Sequence, residues 1–285
     1  MNSSRRKFLC TTSALSLATA LQRRTLAVEQ GMKFGLVTYL WGKDMDLATL
    51  LRNCEASGVL GVELRTQHAH GVEPKLNSSE RVEVRKRFAD SPVTLVGYGS
   101  NCEFHSADPK KLAANIEQAK EFIRLMHDCG GSGVKVKPNA FPKNVAKEKT
   151  IEQIGKSLNL LADYGQGFGQ KIRVEVHGKG TSELPVIRDI FRVADHPNVG
   201  VCWNSNDVDL DGDGLEANFR MVQHRLADTV HVRELNVGEY PYKKLFKLFQ
   251  SINYKGWILL EARTNPSDKL KAFKEQKQLF DSFVS

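Results

Sequence analysis

At 285 residues, 41% of them hydrophobic and 26% charged, the chain suits one sizeable globular domain. The formal charge of +8 gives no ground for nucleic acid as the main partner. Arg5, Arg6, Lys7, Arg23 and Arg24 lie in the first 27 residues, where there is no acid, and without those five the charge falls to +3. Outside that segment Cys54, Cys102, Cys129 and Cys202 are too few for a disulfide scaffold, and the lack of a Cys-x-x-Cys pair argues against a structural zinc clip.

In chain order, Ser4-Arg5-Arg6-Lys7-Phe8-Leu9 comes first, ahead of an apolar stretch from Thr11 to Leu21 that is too short for a stable membrane span. Paired arginines before a modest apolar segment match a bacterial twin-arginine export signal over residues 1–27, with cleavage expected after Ala20 or Ala27 and a periplasmic destination.

From residue 32 to 283 strands and helices alternate. Lys33–Thr38 reads as a first strand. Leu47, Leu50, Leu51 and Cys54 recur at helical spacing, and Gly58 is placed to end that helix. Gly61–Arg65 is the second strand and Ser78–Ala89 its helix. Val93–Tyr98 is the third strand, and Asp108-Pro109 opens a long helix to His127 with a cap residue followed by proline at the first helical position. Gly133–Lys137, Lys171–Val176, Val199–Trp203, Thr229–Val232 and Trp257–Leu260 read as strands four to eight. The helices after them run from about Lys147 to Tyr164, Glu183 to Ala194, Leu215 to His224, Tyr242 to Ser251 and Lys269 to Phe283. Eight alternating units predict a parallel sheet closed into a (β/α)8 TIM barrel. No Gly-x-Gly-x-x-Gly follows the first strand, which weakens a dinucleotide-binding reading.

Several strands end in side chains able to bind metal or substrate. The fifth carries Glu175 and His177, the seventh His231 and Arg233, and the eighth runs into Glu261. A carboxylate or imidazole at the end of a buried strand is costly to desolvate without a partner, and in such a barrel that end is the active-site face. Lys135 and Lys137 alternate with valines. The deeper Lys135 needs a buried acid such as Glu63 or Glu175, while Lys137 stands at the strand end, suited to hold a carboxylate, phosphate or enolate oxygen.

Gly61-Val62-Glu63-Leu64-Arg65, Val174-Glu175-Val176-His177-Gly178, Val230-His231-Val232-Arg233 and Leu260-Glu261-Ala262-Arg263, in that order, resemble the sugar phosphate isomerase/epimerase family with the xylose-isomerase-like barrel. The resemblance spans residues 32–283. It implies one divalent metal (Mn, Mg, Co or Zn) held by Glu175, Asn204, His231 and Glu261. The family's usual residue at Asn204 is aspartate. The amide still offers an oxygen but removes one negative charge, which weakens the hold on a hard dication. Where several epimerases carry a histidine three residues later, this chain has Asp207, a residue that can return the missing charge from a shifted loop.

The activity so implied is sugar isomerisation or epimerisation, in which a proton is removed next to a carbonyl. Glu175 and Glu261 are the candidate acid/base pair, and His177, Lys137, Glu63, His68 and Arg233 the candidate substrate contacts. The expected partner is a small sugar or sugar derivative, without nucleic acid; a homo-oligomer is compatible with the fold. Two other activities stay open: a carbohydrate-binding barrel with lost or weak catalysis, and a keto-sugar or cyclitol dehydratase. A nuclease of the endonuclease IV type shares the barrel, but eight histidines and a small net charge disfavour it. Asp209-Leu210-Asp211-Gly212-Asp213-Gly214 begins like a calcium loop, yet Arg220 stands where the bidentate glutamate belongs, so an acidic turn capping the sixth helix is expected.

Overall fold

A computed structural model describes residues 31–285, so the expected export signal lies outside the described residues. The strands are β1 Lys33–Val37, β2 Gly61–Arg65, β3 Thr94–Glu103, β4 Gly133–Lys137, β5 Lys171–Glu175, β6 Val199–Cys202, β7 Thr229–Val232 and β8 Trp257–Leu260. The helices between and after them are α1 Leu47–Ser57, α2 Ser78–Ala89, α3 Pro109–Cys129, α4 Lys147–Gln166, α5 Leu184–Val193, α6 Gly214–Val222, α7 Tyr242–Ser251 and α8 Lys269–Val284. All pairings are parallel, in the order β6-β5-β4-β3-β2-β1-β8-β7. The two end strands meet through single bridges, Val201 with Leu226 and Asn204 with His231, so the barrel is nearly closed.

Local signals set the helix ends. Asp46 accepts the Thr49 N–H at 2.7 Å, and Gly58 takes the left-handed conformation at φ 74°. Asn77 and Glu80 form a reciprocal capping box. Asp108 accepts from the Lys110 N–H ahead of Pro109. The acidic turn behaves otherwise. Asp207–Leu210 forms a 3-10 turn, Asp213 makes no side-chain cap to α6, and Asp209 is buried, accepting from the Tyr240 hydroxyl at 2.7 Å and the Asn206 N–H at 2.9 Å. Burial raises the Asp209 carboxyl to about 7.

Strand alternation divides the barrel into two environments. Ile172 and Val174, Val230 and Val232, Ile258 and Leu260 face outward into the main hydrophobic core under the helices. The inward apolar cluster is small, formed by Val37, Val96 and Leu259. The rest of the interior carries the fully buried Glu63, Lys135, Arg173 and His231. Barrel interiors are ordinarily filled with branched aliphatics. Here they hold stacked ion pairs, because residues two apart on a strand face the same way one layer higher.

The lowest layer is built on Arg173. It forms a two-bond fork to Asp228, at 2.9 and 3.2 Å, and also donates to the Val96 carbonyl at 3.0 Å and the Ser132 hydroxyl at 2.8 Å. Gly133 leaves room for it: a Cβ there would stand 2.9 Å from the guanidinium carbon and 2.7 Å from the Lys171 carbonyl oxygen. Among the described residues the four cysteines are buried and free, and no helix is long and apolar enough to cross a membrane.

Candidate metal centre at the barrel mouth

Above Arg173 on β5 comes Glu175. His231 lies one strand-face step along β7 from Thr229, and Glu261 follows Leu259 on the same face at the end of β8. Each is buried, and one ligand atom from each of Glu175, His231 and Glu261 lies within 4.8 Å of the others. Asn204 is carried to the same place by the bridge that closes β6 on β7, where the His231 N–H donates to the Trp203 carbonyl at 2.7 Å.

The pairing around these groups is specific. Asn204 Nδ2 donates to Glu175 Oε1 at 2.8 Å, and Lys135 Nζ sits 2.5 Å from Glu175 Oε2. Burial by itself would raise the Glu175 carboxyl; the Lys135 ammonium and the neighbouring imidazoles reverse this and hold it well below the ordinary carboxylate range. His231 Nε2 stands 3.2 Å from Glu63 Oε1, and both side chains are fully buried. Burial opposes ionisation of Glu63, and the His231 and Lys135 charges outweigh it, so its carboxyl is lowered. Arg65 Nη1 donates to Glu261 Oε1 at 3.0 Å. Glu261 Oε2 takes no hydrogen bond from the described residues, which leaves this oxygen available. A Cβ at Gly99 would stand 2.8 Å from Glu63 Oε1 and 3.1 Å from Arg65 Cγ, so the glycine makes room for both.

These residues fit a divalent ion. Two carboxylates, an imidazole and an amide oxygen are a mixed oxygen and nitrogen donor set suited to Mn, Mg, Co or Zn. Asn204 Oδ1 and His231 Nδ1 are buried without a hydrogen-bond partner, as ligand atoms would be. Glu63 behind His231 is the carboxylate–histidine arrangement that orients a ligating ring.

Around the centre, His177 Nδ1 lies 3.0 Å from Asn139 Oδ1, and the Asn139 amide nitrogen donates to Glu103. With the amide nitrogen so engaged, its oxygen accepts from His177, leaving Nε2 of a neutral ring to accept from a hydroxyl. Burial lowers the His177 pKa, and the nearby Glu175 opposes that only in part. His68 Nδ1 is 3.1 Å from the Thr38 hydroxyl, and burial brings its pKa to about 4. Lys137 Nζ donates to Asn101 Oδ1 at 3.2 Å. Arg233 turns toward the β6 loop, 3.4 Å from Asn206 Oδ1. Asp207 is exposed and lies outside the three-donor group, so it does not restore the charge lost at Asn204. Glu63 packs behind His231 and away from the Arg65 guanidinium, which belongs to Glu261.

Sequence reasoning missed Asn101 and Asn139. Asn101 lies in the upper half of β3, which runs five residues beyond the expected end at Tyr98. Asn139 has φ 74° and bridges to Gly178; an asparagine after Lys137-Pro138, of a type that tolerates this conformation, was the available signal.

A sequence profile of the family described as xylose isomerase-like TIM barrel matches residues 51–282. No curated protein sequence matches the chain. Among solved structures, 3-keto-D-glucoside 4-epimerase YcjR from E. coli superposes with a TM-score of 0.74 at 15% identity, over 88% of this chain and 99% of its own. An L-ribulose 3-epimerase gives 0.75 at 14% identity, over 89% and 94%. IolI, solved with a zinc atom, gives 0.75 at 16% identity, over 89% and 98%. At such identities the superpositions speak for the fold. With the profile spanning most of the barrel, strands and helices alike, the chain belongs to the xylose isomerase-like TIM barrel family.

Proposed function

We propose that this protein is an exported, divalent-metal-dependent sugar isomerase or epimerase that works by proton abstraction next to a carbonyl. One observation carries the reading: Glu175, His231 and Glu261 converge within 4.8 Å at the C-terminal ends of three strands. The sugar epimerases among its structural neighbours support it. Glu175, Asn204, His231 and Glu261 would hold the ion, which when bound supplies Lewis acidity at the substrate carbonyl.

The remaining roles belong to this chain's own side chains. Glu175 has both oxygens committed, to Asn204 and Lys135, and is held ionised; it is a ligand and a poor proton acceptor. Glu261 has a free Oε2 beside the centre and is the group that takes the proton. Arg65 orients Glu261 through its other oxygen. The neutral His177, fixed by Asn139, accepts from a substrate hydroxyl. Export rests on Arg5-Arg6 and the apolar segment after them.

Purified protein is expected to contain about one transition-metal ion per chain, and to wash deuterium from heavy water into the carbon next to the carbonyl of a ketose. Bound metal without exchange on any sugar would favour a second reading, a barrel that binds carbohydrate without turning it over. That reading draws on the neutral Asn204 and on the Lys135 ammonium lying against Glu175. Asn204→Asp adds the missing charge and is expected to tighten metal binding by about tenfold. Unchanged affinity in a metal titration would remove residue 204 from the ligand set.

A further inference from the structure

The rim of the barrel carries a charge that the candidate centre does not use. Lys137, half-buried at the end of β4, makes no ion pair among the described residues, and its hydrogen bond goes to the neutral amide oxygen of Asn101 at 3.2 Å. That same oxygen receives the Arg65 Nη2 donor at 3.3 Å. Two cations thus converge on one uncharged oxygen, and Asn101 is exposed at the mouth. Of the acids near Lys137, Glu175 is paired with Lys135, while Glu103 accepts from the neutral Asn139 amide and touches no cation among the described residues. Arg65 is neutralised by Glu261 and steadied over the Tyr39 ring, 5.0 Å from its centre. Lys137 is therefore a rim cation with no acid in contact among the described residues, and the donors beside it are already held in place.

We infer that Lys137, Arg65 and Asn101 form an anion clamp, and that the substrate is a sugar bearing a carboxylate. The inference rests on the sugar-isomerase reading and names the substrate class for the same site. An oxyanion on a sugar is either a carboxylate or a phosphate ester. With the carboxylates of Glu103 and Glu261 flanking the clamp, a monoanionic carboxylate is repelled less than a phosphate dianion. The clamp lies beside Glu261, so an acid held there places the rest of a short polyhydroxy chain over the three-donor centre.

The test is binding, read by calorimetry on the full-length, metal-loaded protein, with D-fructose, D-fructuronate and D-fructose 6-phosphate, which differ only at the terminal carbon. D-fructuronate is expected to bind at least about tenfold more tightly than D-fructose, and the margin is expected to shrink in high salt. Lys137→Met is expected to erase the margin and Lys137→Arg to keep most of it; circular dichroism checks that both variants are folded. Equal affinities for the acid and the neutral sugar overturn the clamp, as does a margin that survives Lys137→Met. Tightest binding by the phosphate ester overturns the choice of carboxylate, and so does failure of every anionic sugar to bind. The two readings separate: uronate binding without deuterium exchange keeps the clamp and sinks the isomerase, while exchange on neutral ketoses with no preference for an acid does the reverse.

Discussion

Glu261→Gln is expected to lower the rate of solvent deuterium exchange by a factor of about 10² to 10⁴, the usual worth of a positioned general base. Glutamine keeps the shape and an oxygen that can still ligate an ion, but it cannot take a proton. The free Oε2 of Glu261 motivates the assignment, since the corresponding oxygens of Glu175 are both taken, by Asn204 and Lys135. Metal content is therefore expected to fall far less than turnover. Exchange at the wild-type rate would remove Glu261 from the acid/base role. A parallel loss of metal and exchange would make it a ligand only. Because Arg65 loses its ionised partner in this variant, Arg65→Met alone serves as a control for orientation; it is expected to slow exchange less than Glu261→Gln does.

The largest stability effect is expected at the other end of the barrel. Asp228→Ala leaves the Arg173 guanidinium, fully buried, with only neutral acceptors. Removing one partner of a buried ion pair costs about 3–5 kcal/mol. Asp228 keeps 30% of its side-chain exposure, so the lower end of that range is expected. In urea or thermal unfolding this corresponds to a fall in Tm of roughly 6–12 °C for a domain of this size. Arg173→Met with Asp228→Leu is expected to recover much of the loss, since the cost lies in the stranded charge. A loss below about 1 kcal/mol in the single variant would mean that water solvates Arg173 from below.

The same pair sets an acid limit. Burial would raise the Asp228 carboxyl, but Arg173 and Lys171 lower it from 3.8 to about 2. A carboxyl depressed in the folded state binds protons more readily when the chain is unfolded. Its stabilisation is therefore complete above about pH 4 and is lost as the pH falls toward 2.

Much of this was legible in the strands themselves. Polar residues alternating with valine and isoleucine in β5 and β7 place Glu175 and His231 on the inward face whatever the loops do, and Glu261, two residues past the inward Leu259, continues that face of the apolar β8, because side chains on a strand alternate sides. Lys135 inside a valine run required a buried acid, and the structure supplies Glu175. β3 was less legible. Gly97, Gly99, Ser100 and Asn101 are poor strand formers, so local preference predicts an early end. The strand continues because β2 and β4 flank it, with a register shift between Gly99 and Glu103. Tertiary pairing overrides propensity here, and it carries Asn101 to the rim.

By itself the sequence determined the number of βα units, the face each strand turns inward and the strand-end positions of Glu175, His231 and Glu261, since periodicity and strand ends are properties of local chain geometry; Asn204 came only from the family resemblance. Only the tertiary structure decided which charges meet. Lys135 chose Glu175 over Glu63, Arg65 chose Glu261 across the β1 strand, and Lys137 met an amide in place of an acid. Those choices depend on inter-strand stagger and on how the barrel closes between β6 and β7, and no local pattern of residues encodes either one.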